Sequence, residues 1–168
     1  MHSESPNPFD ASADPERHGI WDRLVRADSE AFVAGDWSAI ERDFEADAFE
    51  GIRCDNSADP ARWSVAFPDL ASYRDSWLDA SRQFLARRFA DGITHREAIF
   101  ARTHLSDIRI AGGRALCRKT FYGRLPLTDG SVLDDRRQSL FRLHRRTDSP
   151  WGWRIVGFLG QLPLTDPR

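Results

Sequence analysis

A chain of 168 residues with a formal net charge of −2 has the size of one domain, and it carries no global field that would attract nucleic acid or an anionic membrane. Its hydrophobic content of 40% is sufficient for a core, and no apolar run approaches the length of a membrane span. Lys119 is the only lysine, so arginine supplies the other 23 of the 24 basic side chains. We interpret this bias as a property of the source genome rather than as a polyanion site.

The start of the chain has the composition of a loose tail. Its residues are polar, include three prolines and contain no apolar segment typical of a secretory signal. We predict a flexible N-terminal tail over residues 1–18 and a single domain over residues 19–168. Cys54 and Cys117 form no CxxC or zinc spacing, which favours free buried thiols in a reducing cytoplasm over a single disulfide. The free thiols favour a cytoplasmic protein. Because Cys/His clusters and glycine-rich phosphate loops are also absent, we expect neither a metal site nor a cofactor.

Helical periodicity predicts three helices in the N-terminal half. The first spans Trp21 to Ala34 and is ended by Gly35-Asp36, and Ala39–Phe44 forms a short second helix. The third opens at Phe67-Pro68-Asp69, where a proline and an acidic residue suit the first helical turn. One apolar stripe follows it, through Leu70, Tyr73, Trp77, Ser81, Phe84, Leu85 and Phe89.

Four β-rich runs in the C-terminal part predict an antiparallel meander. The runs are Thr103–Ile110, Ala115–Leu125, Val132–Arg145 and Trp153–Gln161, and turn-like sequences separate them. A connecting segment, Ile93–Arg102, leads into the meander, and Asp47–Cys54 predicts a further short strand. The predicted class is therefore α+β: three N-terminal helices packed on a curved antiparallel sheet. Together they would enclose a cone, by which we mean the space between helices and sheet.

Alternation within the runs predicts which side chains share a face. His104 has the parity of Ile108 and Ile110, and Leu159 has the parity of Trp153 and Ile155. The opposite parities also carry large apolar side chains, namely Leu105, Val132, Leu140, Val156 and Phe158. A sheet that is apolar on both sides predicts an outer face covered by a second copy, and therefore a homodimer.

Asp28 is the strongest anomaly of the first helix. At about 100° per residue it lies in the middle of the apolar stripe, one turn after Leu24 and one turn before Phe32. A carboxylate that faces an apolar interior needs a partner or changes its pKa, and either outcome suits a general acid or base. The structural alternative is that Asp28 binds an arginine or a backbone NH beneath the sheet.

His104 is the second candidate for chemistry. It opens the first strand of the meander on an apolar parity, and histidine exchanges protons near neutral pH. The alternative is a core histidine satisfied by the backbone, or a residue at the rim.

Five further residues are candidates for contact with a ligand. Asp135 and Arg137 share a parity with Phe141, so both charges would polarise a substrate or form a salt bridge with each other. Tyr73 and Trp77, one turn apart on the third helix, would line a pocket or fill the core. Tyr122 is a similar and weaker candidate.

A set of short motifs resembles the NTF2-like superfamily, which includes SnoaL-like polyketide cyclases, ketosteroid isomerases and scytalone dehydratases. The motifs are Ala31-Phe32-Val33-Ala34-Gly35-Asp36-Trp37, then Phe44 and Asp47-Ala48, and finally Gly152-Trp153-Arg154-Ile155. The resemblance covers residues 20–163 and implies the same cone. It also implies a homodimer that binds a small apolar or aromatic molecule without a cofactor.

The catalytic residues of these relatives correspond to few residues of this chain. Aligned on Gly35-Asp36, the tyrosine of ketosteroid isomerases falls at Asp28, and their general-base aspartate falls at Ile52. His104 looks like the histidine that opens a comparable strand in scytalone dehydratase. The resemblance thus implies that position 28 lines the pocket, in agreement with the helical periodicity.

Two functions follow as hypotheses. The first is a SnoaL-like enzyme for isomerisation, dehydration, cyclisation or epoxide opening, with Asp28 as acid or base and His104 as its proton partner. The second is a non-catalytic ligand-binding or dimerisation module that uses the same fold.

Overall fold

The first helix begins earlier than periodicity predicted. The computed structural model describes residues 6–164, and in it α1 (Pro15–Trp21) continues into a π-helical stretch (Asp22–Ala27) and then into α2 (Asp28–Ala34). The side chain of Asp14 caps the start, and a proline occupies the first turn, where its missing NH costs nothing. The helix therefore starts inside the segment 1–18 that composition predicted to be a tail.

Two more helices complete the helical half. Helix α3 (Leu70–Leu85) is capped by the side chain of Asp69 and confirms the third predicted helix. It ends before Phe89, which the predicted stripe included and which instead forms an isolated bridge with Leu127. The predicted second helix is instead a pair of 3₁₀ turns, Trp37–Ala39 and Glu41–Asp43. Further single turns occur at Ala46–Ala48 and Pro60–Arg62.

The predicted connector into the meander contains a helix, α4 (His95–Arg102). Its start is a capping box, in which the side chains of Thr94 and Glu97 each bind the other's backbone NH. This local signal is present in the sequence, but the helix is too short for its periodicity to stand out.

The meander is confirmed, and its four strands are neighbours on one side of a six-stranded sheet. The strands of the described part of the chain are β1 (Glu50–Arg53), β2 (Ser64–Phe67), β3 (Thr103–Ala111), β4 (Arg114–Phe121), β5 (Leu125–Pro126), β6 (Val132–Leu133), β7 (Arg137–Arg145) and β8 (Trp153–Pro163). The sheet has the order β2-β1-β8-β7-β4-β3, and β5 pairs with β6 separately. All neighbours are antiparallel except β1 and β8, which are parallel. The sheet is therefore mixed, because β1 joins it beside the last strand.

Bulges bend the long strands and change their facing pattern. In β3, Ser106 is an extra residue between Leu105 and Asp107, and in β8 the pairing with β7 shifts at Val156. A bulge increases the twist of a strand and moves the following side chains to the opposite face. The predicted face is consequently wrong for His104, which lies on the other face of the sheet from Ile108. It is also wrong for Leu159, because Phe158 points into the core instead.

Aromatic side chains fill most of the cone between sheet and helices. The rings of Trp37 and Phe44 stack with centroids 5.1 Å apart, and Tyr73 packs on Phe158 at 4.9 Å. Neighbouring buried members of the same cluster are Phe49, Trp77, Phe141 and Trp153. Cys54 and Cys117 are buried free thiols, as predicted. The core is therefore dense, and polar groups within it stand out.

Candidate functional site

Asp28 points into the cone, and its predicted inward orientation is confirmed. Its Oδ2 accepts a hydrogen bond from Nζ of Lys119 at 2.6 Å, and its Oδ1 accepts one from Nε1 of Trp77 at 3.2 Å. The side chain of Asp28 is 26% exposed, whereas that of Lys119 is only 3% exposed. The carboxylate is thus held by two donors, and its side chain remains partly open to solvent.

Lys119 is the functional candidate that sequence reasoning missed. It lies on the inner face of β4, on the same face as Cys117, and pairs across the sheet with Leu105 and Ser139. Its ammonium lies 5.5 Å from the ring centroid of Phe121. A charge buried among apolar groups requires an ion partner, and Asp28 supplies it. Its status as the only lysine was the available signal.

A second ion pair lies next to the first. Nε and Nη2 of Arg23 donate to Oδ2 of Asp43 at 2.9 and 2.7 Å, and Nη2 also donates to the carbonyl oxygen of Ala39. Burial raises the pKa of Asp43, the ion pair with Arg23 partly opposes this, and the negative charge of Asp28 raises it further. The Asp28 carboxylate is therefore close enough to influence the ionisation of Asp43.

Both ion pairs line one small cavity. Its polar lining consists of Arg23, Asp28, Asp43, Tyr73 and Lys119, and its apolar lining includes Leu24, Ile40 and Phe141. The cavity leaves about 10 Å³ for the centre of a water molecule, which is room for about one water. Burial raises the pKa of Tyr73, so its hydroxyl stays protonated. An aromatic ligand of the predicted kind does not fit into this space.

His104 does not lie at this cavity. It pairs with Thr120, while its chain neighbour Leu105 pairs with Lys119, so His104 occupies the opposite, outer face of the sheet. Its ring stacks on Tyr122 with centroids 4.1 Å apart, and its buried Nε2 has no hydrogen-bond partner among the described residues. Burial lowers the pKa of His104 and favours the neutral ring. The structure therefore does not bring together the two predicted catalytic residues, and the bulge at Ser106 is the reason.

Asp135 and Arg137 belong to a salt-bridge network. Nε of Arg137 donates to Oδ2 of Asp135 at 2.9 Å, and the guanidinium of Arg102 binds the other carboxylate oxygen. Nε of Arg102 also donates to the carbonyl oxygen of Gly123 at 3.0 Å. Burial works to raise the pKa of Asp135, but the two arginines overcome it and lower the pKa. The network joins the end of α4 to the loops around β5 and β6, as the structural alternative predicted.

The predicted residues thus separate into two groups. Asp28 and Tyr73 line the cavity and Trp77 binds Asp28 from the core, whereas His104, Tyr122 and the Asp135–Arg137 pair lie elsewhere. Within residues 6–164 no three histidine, cysteine or acidic side chains are grouped closely enough to hold a metal ion. In the same part of the chain no helix has the length and apolar character that a bilayer crossing requires.

Solved structures share this architecture. A nuclear transport factor 2 (NTF2-like) superfamily protein from Salmonella enterica superposes with a TM-score of 0.55 at 11% identity, over 92% of this chain and 95% of that chain. An NTF2-like protein of unknown function from Shewanella baltica gives 0.52 at 13% identity, over 89% and 95%. The chain has an NTF2-like fold.

The same fold also includes proteins of a different kind. The CaMKII hub of S. rosetta matches this chain with a TM-score of 0.51 at 16% identity, over 84% of this chain and 92% of the hub. No family model matches the sequence, and no curated protein does. The superpositions confirm the predicted fold. Because proteins of different kinds share it, the fold alone does not identify the function.

Proposed function

We propose that this protein is a SnoaL-like small-molecule-binding protein that binds its ligand at Asp28 and performs cofactor-independent acid–base chemistry on it. The reaction class would be isomerisation, dehydration or cyclisation. The observation that carries the proposal is the Asp28 carboxylate, which is held by Lys119 and Trp77 and remains partly open to solvent.

The surroundings of Asp28 supply the groups that such chemistry needs. A positioned carboxylate is a suitable proton acceptor. The carboxyl group of Asp43, whose pKa is raised by burial, and the protonated hydroxyl of Tyr73 line the same cavity. Groups whose environments push their pKa values apart are typical of acid–base sites.

The size of the cavity narrows the class of ligand. Because there is room for about one water, a ligand that enters without moving the aromatic side chains has only a few heavy atoms. Its polar part would occupy this space beside Asp28 and Lys119, and its apolar part would contact Leu24 and Ile40. We therefore replace the expected aromatic ligand with a small polar one.

Asp28→Asn tests this proposal. Native mass spectrometry of protein purified from its host should identify a retained ligand. The variant should either no longer retain that ligand or turn it over about 10²–10⁴-fold more slowly, the usual contribution of a positioned acid or base. Asp47→Asn, the same change at an exposed aspartate outside the cavity, is the matched control and should behave as the native protein.

Because Asp28→Asn leaves Lys119 buried without a counter-charge, near-ultraviolet circular dichroism must show that the variant is folded. The double variant Asp28→Asn/Lys119→Met removes both charges and tests the same role without that cost. Full ligand retention and turnover in both variants would contradict the assignment.

The outer face of the sheet favours a second function, a non-catalytic oligomerisation module. Leu116 of β4 is 42% exposed, and beside it runs a groove formed with Ile110, His144 and three arginines. These arginines are Arg109, Arg114 and Arg142. A CaMKII hub shares the fold, and an exposed apolar side chain on an open sheet face suits the predicted homodimer.

Light scattering during size-exclusion chromatography tests this second function. In an isologous dimer the arginines of one copy face those of the other, so dimerisation should strengthen as salt screens them. Leu116→Arg should give monomers. Val65→Arg, which changes another exposed apolar residue in the edge strand β2 on the far side of the sheet, should not. Elution as a monomer at every protein and salt concentration would exclude the dimer.

A further inference from the structure

Lys119 is the basic side chain of the cavity that can act as a nucleophile. Arginine keeps its proton under all physiological conditions, whereas lysine can lose one and attack a carbonyl carbon. The chain uses arginine at the other 23 basic positions, and its single lysine lies in the cone beside Asp28. We propose that the ε-amine of Lys119 forms an imine with a small aldehyde or ketone. This inference rests on the proposed function of the cone as a ligand site.

A second buried cation within residues 6–164 is an arginine. The side chain of Arg102 is 8% exposed and is also paired with a carboxylate, that of Asp135. Where the fold needs a buried structural cation, it thus uses arginine, whose planar fork also satisfies two carbonyl groups. At position 119 the contacts are different, because the ammonium meets one carboxylate and two aromatic rings.

The geometry provides a proton acceptor for the amine. Oδ2 of Asp28 lies 2.6 Å from Nζ of Lys119 and can take a proton from the ammonium. The free amine then adds to the carbonyl carbon and gives a carbinolamine. The protonated Asp28 returns its proton to the carbinolamine hydroxyl, which leaves as water. The products are a protonated imine and one water, and Asp28 is again a carboxylate beside a positive charge.

Access and space limit the carbonyl compound to a small one. A ligand can approach from the exposed side of Asp28, and the room for about one water adjoins both Asp28 and Lys119. The walls at Leu24, Ile40 and Phe141 are apolar, and a lysine in a hydrophobic pocket can serve as an imine-forming nucleophile.

Reductive trapping tests the proposal, and the chain simplifies the readout because it offers a single ε-amine. Native protein is incubated with acetaldehyde and sodium cyanoborohydride, and peptide mass spectrometry measures ethylation of Lys119. We expect Lys119 to react at least about tenfold faster in the native protein than in guanidinium chloride, because the site positions amine and proton acceptor. A buried lysine with only a structural role reacts more slowly when folded, and that result would overturn the proposal.

Two variants locate the reaction. Lys119→Arg keeps a positive charge for Asp28 and removes the amine, so the internal adduct should disappear. Adding Arg102→Lys to that variant places a lysine in the other buried ion pair, where folding should slow its labelling. Labelling of position 102 as fast as that of Lys119 would also overturn the proposal. A ligand retained in native mass spectrometry together with an unreactive Lys119 would refute the imine and leave the proposed function in place.

Discussion

Lys119→Met should lower the free energy of unfolding by about 3 kcal/mol. The substitution keeps an unbranched side chain among the rings of Phe121 and Phe141 but leaves the Asp28 carboxylate without its cation. Breaking a buried ion pair by removing one partner costs about 3–5 kcal/mol, and the partial exposure of Asp28 places the effect at the lower end. Guanidinium chloride unfolding, followed by tryptophan fluorescence, measures it.

The double variant Asp28→Leu/Lys119→Met identifies the cause. If the loss comes from an unpaired charge, replacing both partners by apolar groups should recover most of the stability, because a buried ion pair gains little over well-packed hydrophobic side chains. Together with the native protein, the single variants Asp28→Leu and Lys119→Met and the double variant form a double-mutant cycle. A double variant less stable than Lys119→Met alone would show that the unpaired charge of Asp28 does not cause the loss.

The sequence predicted the helical side of the cone better than the sheet side. Asp28 could be placed because helical periodicity is a local property, and the observed helix continues through it even where its turns widen to a π-helix. His104 could not be placed, because one extra residue at Ser106 reverses the facing pattern of β3. Nothing in an alternating apolar pattern marks such a bulge.

The sequence also could not show what each candidate contacts. Lys119 is unusual in composition, but its importance comes from Asp28, which lies 91 positions earlier in the chain. The parallel pairing of β1 with β8 is likewise formed between distant segments. By contrast, the capping box at Thr94 and Glu97 was readable locally, and it would have predicted α4.

Gly157→Ala should lower the free energy of unfolding by about 3 kcal/mol, through strain and steric overlap. Gly157 has a backbone φ of +155°, which residues other than glycine rarely adopt. It pairs with Glu50 where β8 meets β1. A Cβ here would overlap the carbonyl oxygen of Glu50 and the guanidinium of Arg142. The guanidinium can turn away, but the carbonyl moves only if β1 moves. Strand β1 directly follows Phe49, which is buried in the core.

Gly19→Ala is the matched control for this substitution. Gly19 lies within α1, and a Cβ added there meets no atom within 4 Å. Because alanine restricts the unfolded chain and favours the helix, Gly19→Ala should stabilise the protein by about 0.5–1 kcal/mol. Chemical denaturation of both variants should therefore give effects of opposite sign. An unchanged free energy of unfolding in Gly157→Ala would mean that β1 does not pair closely with β8.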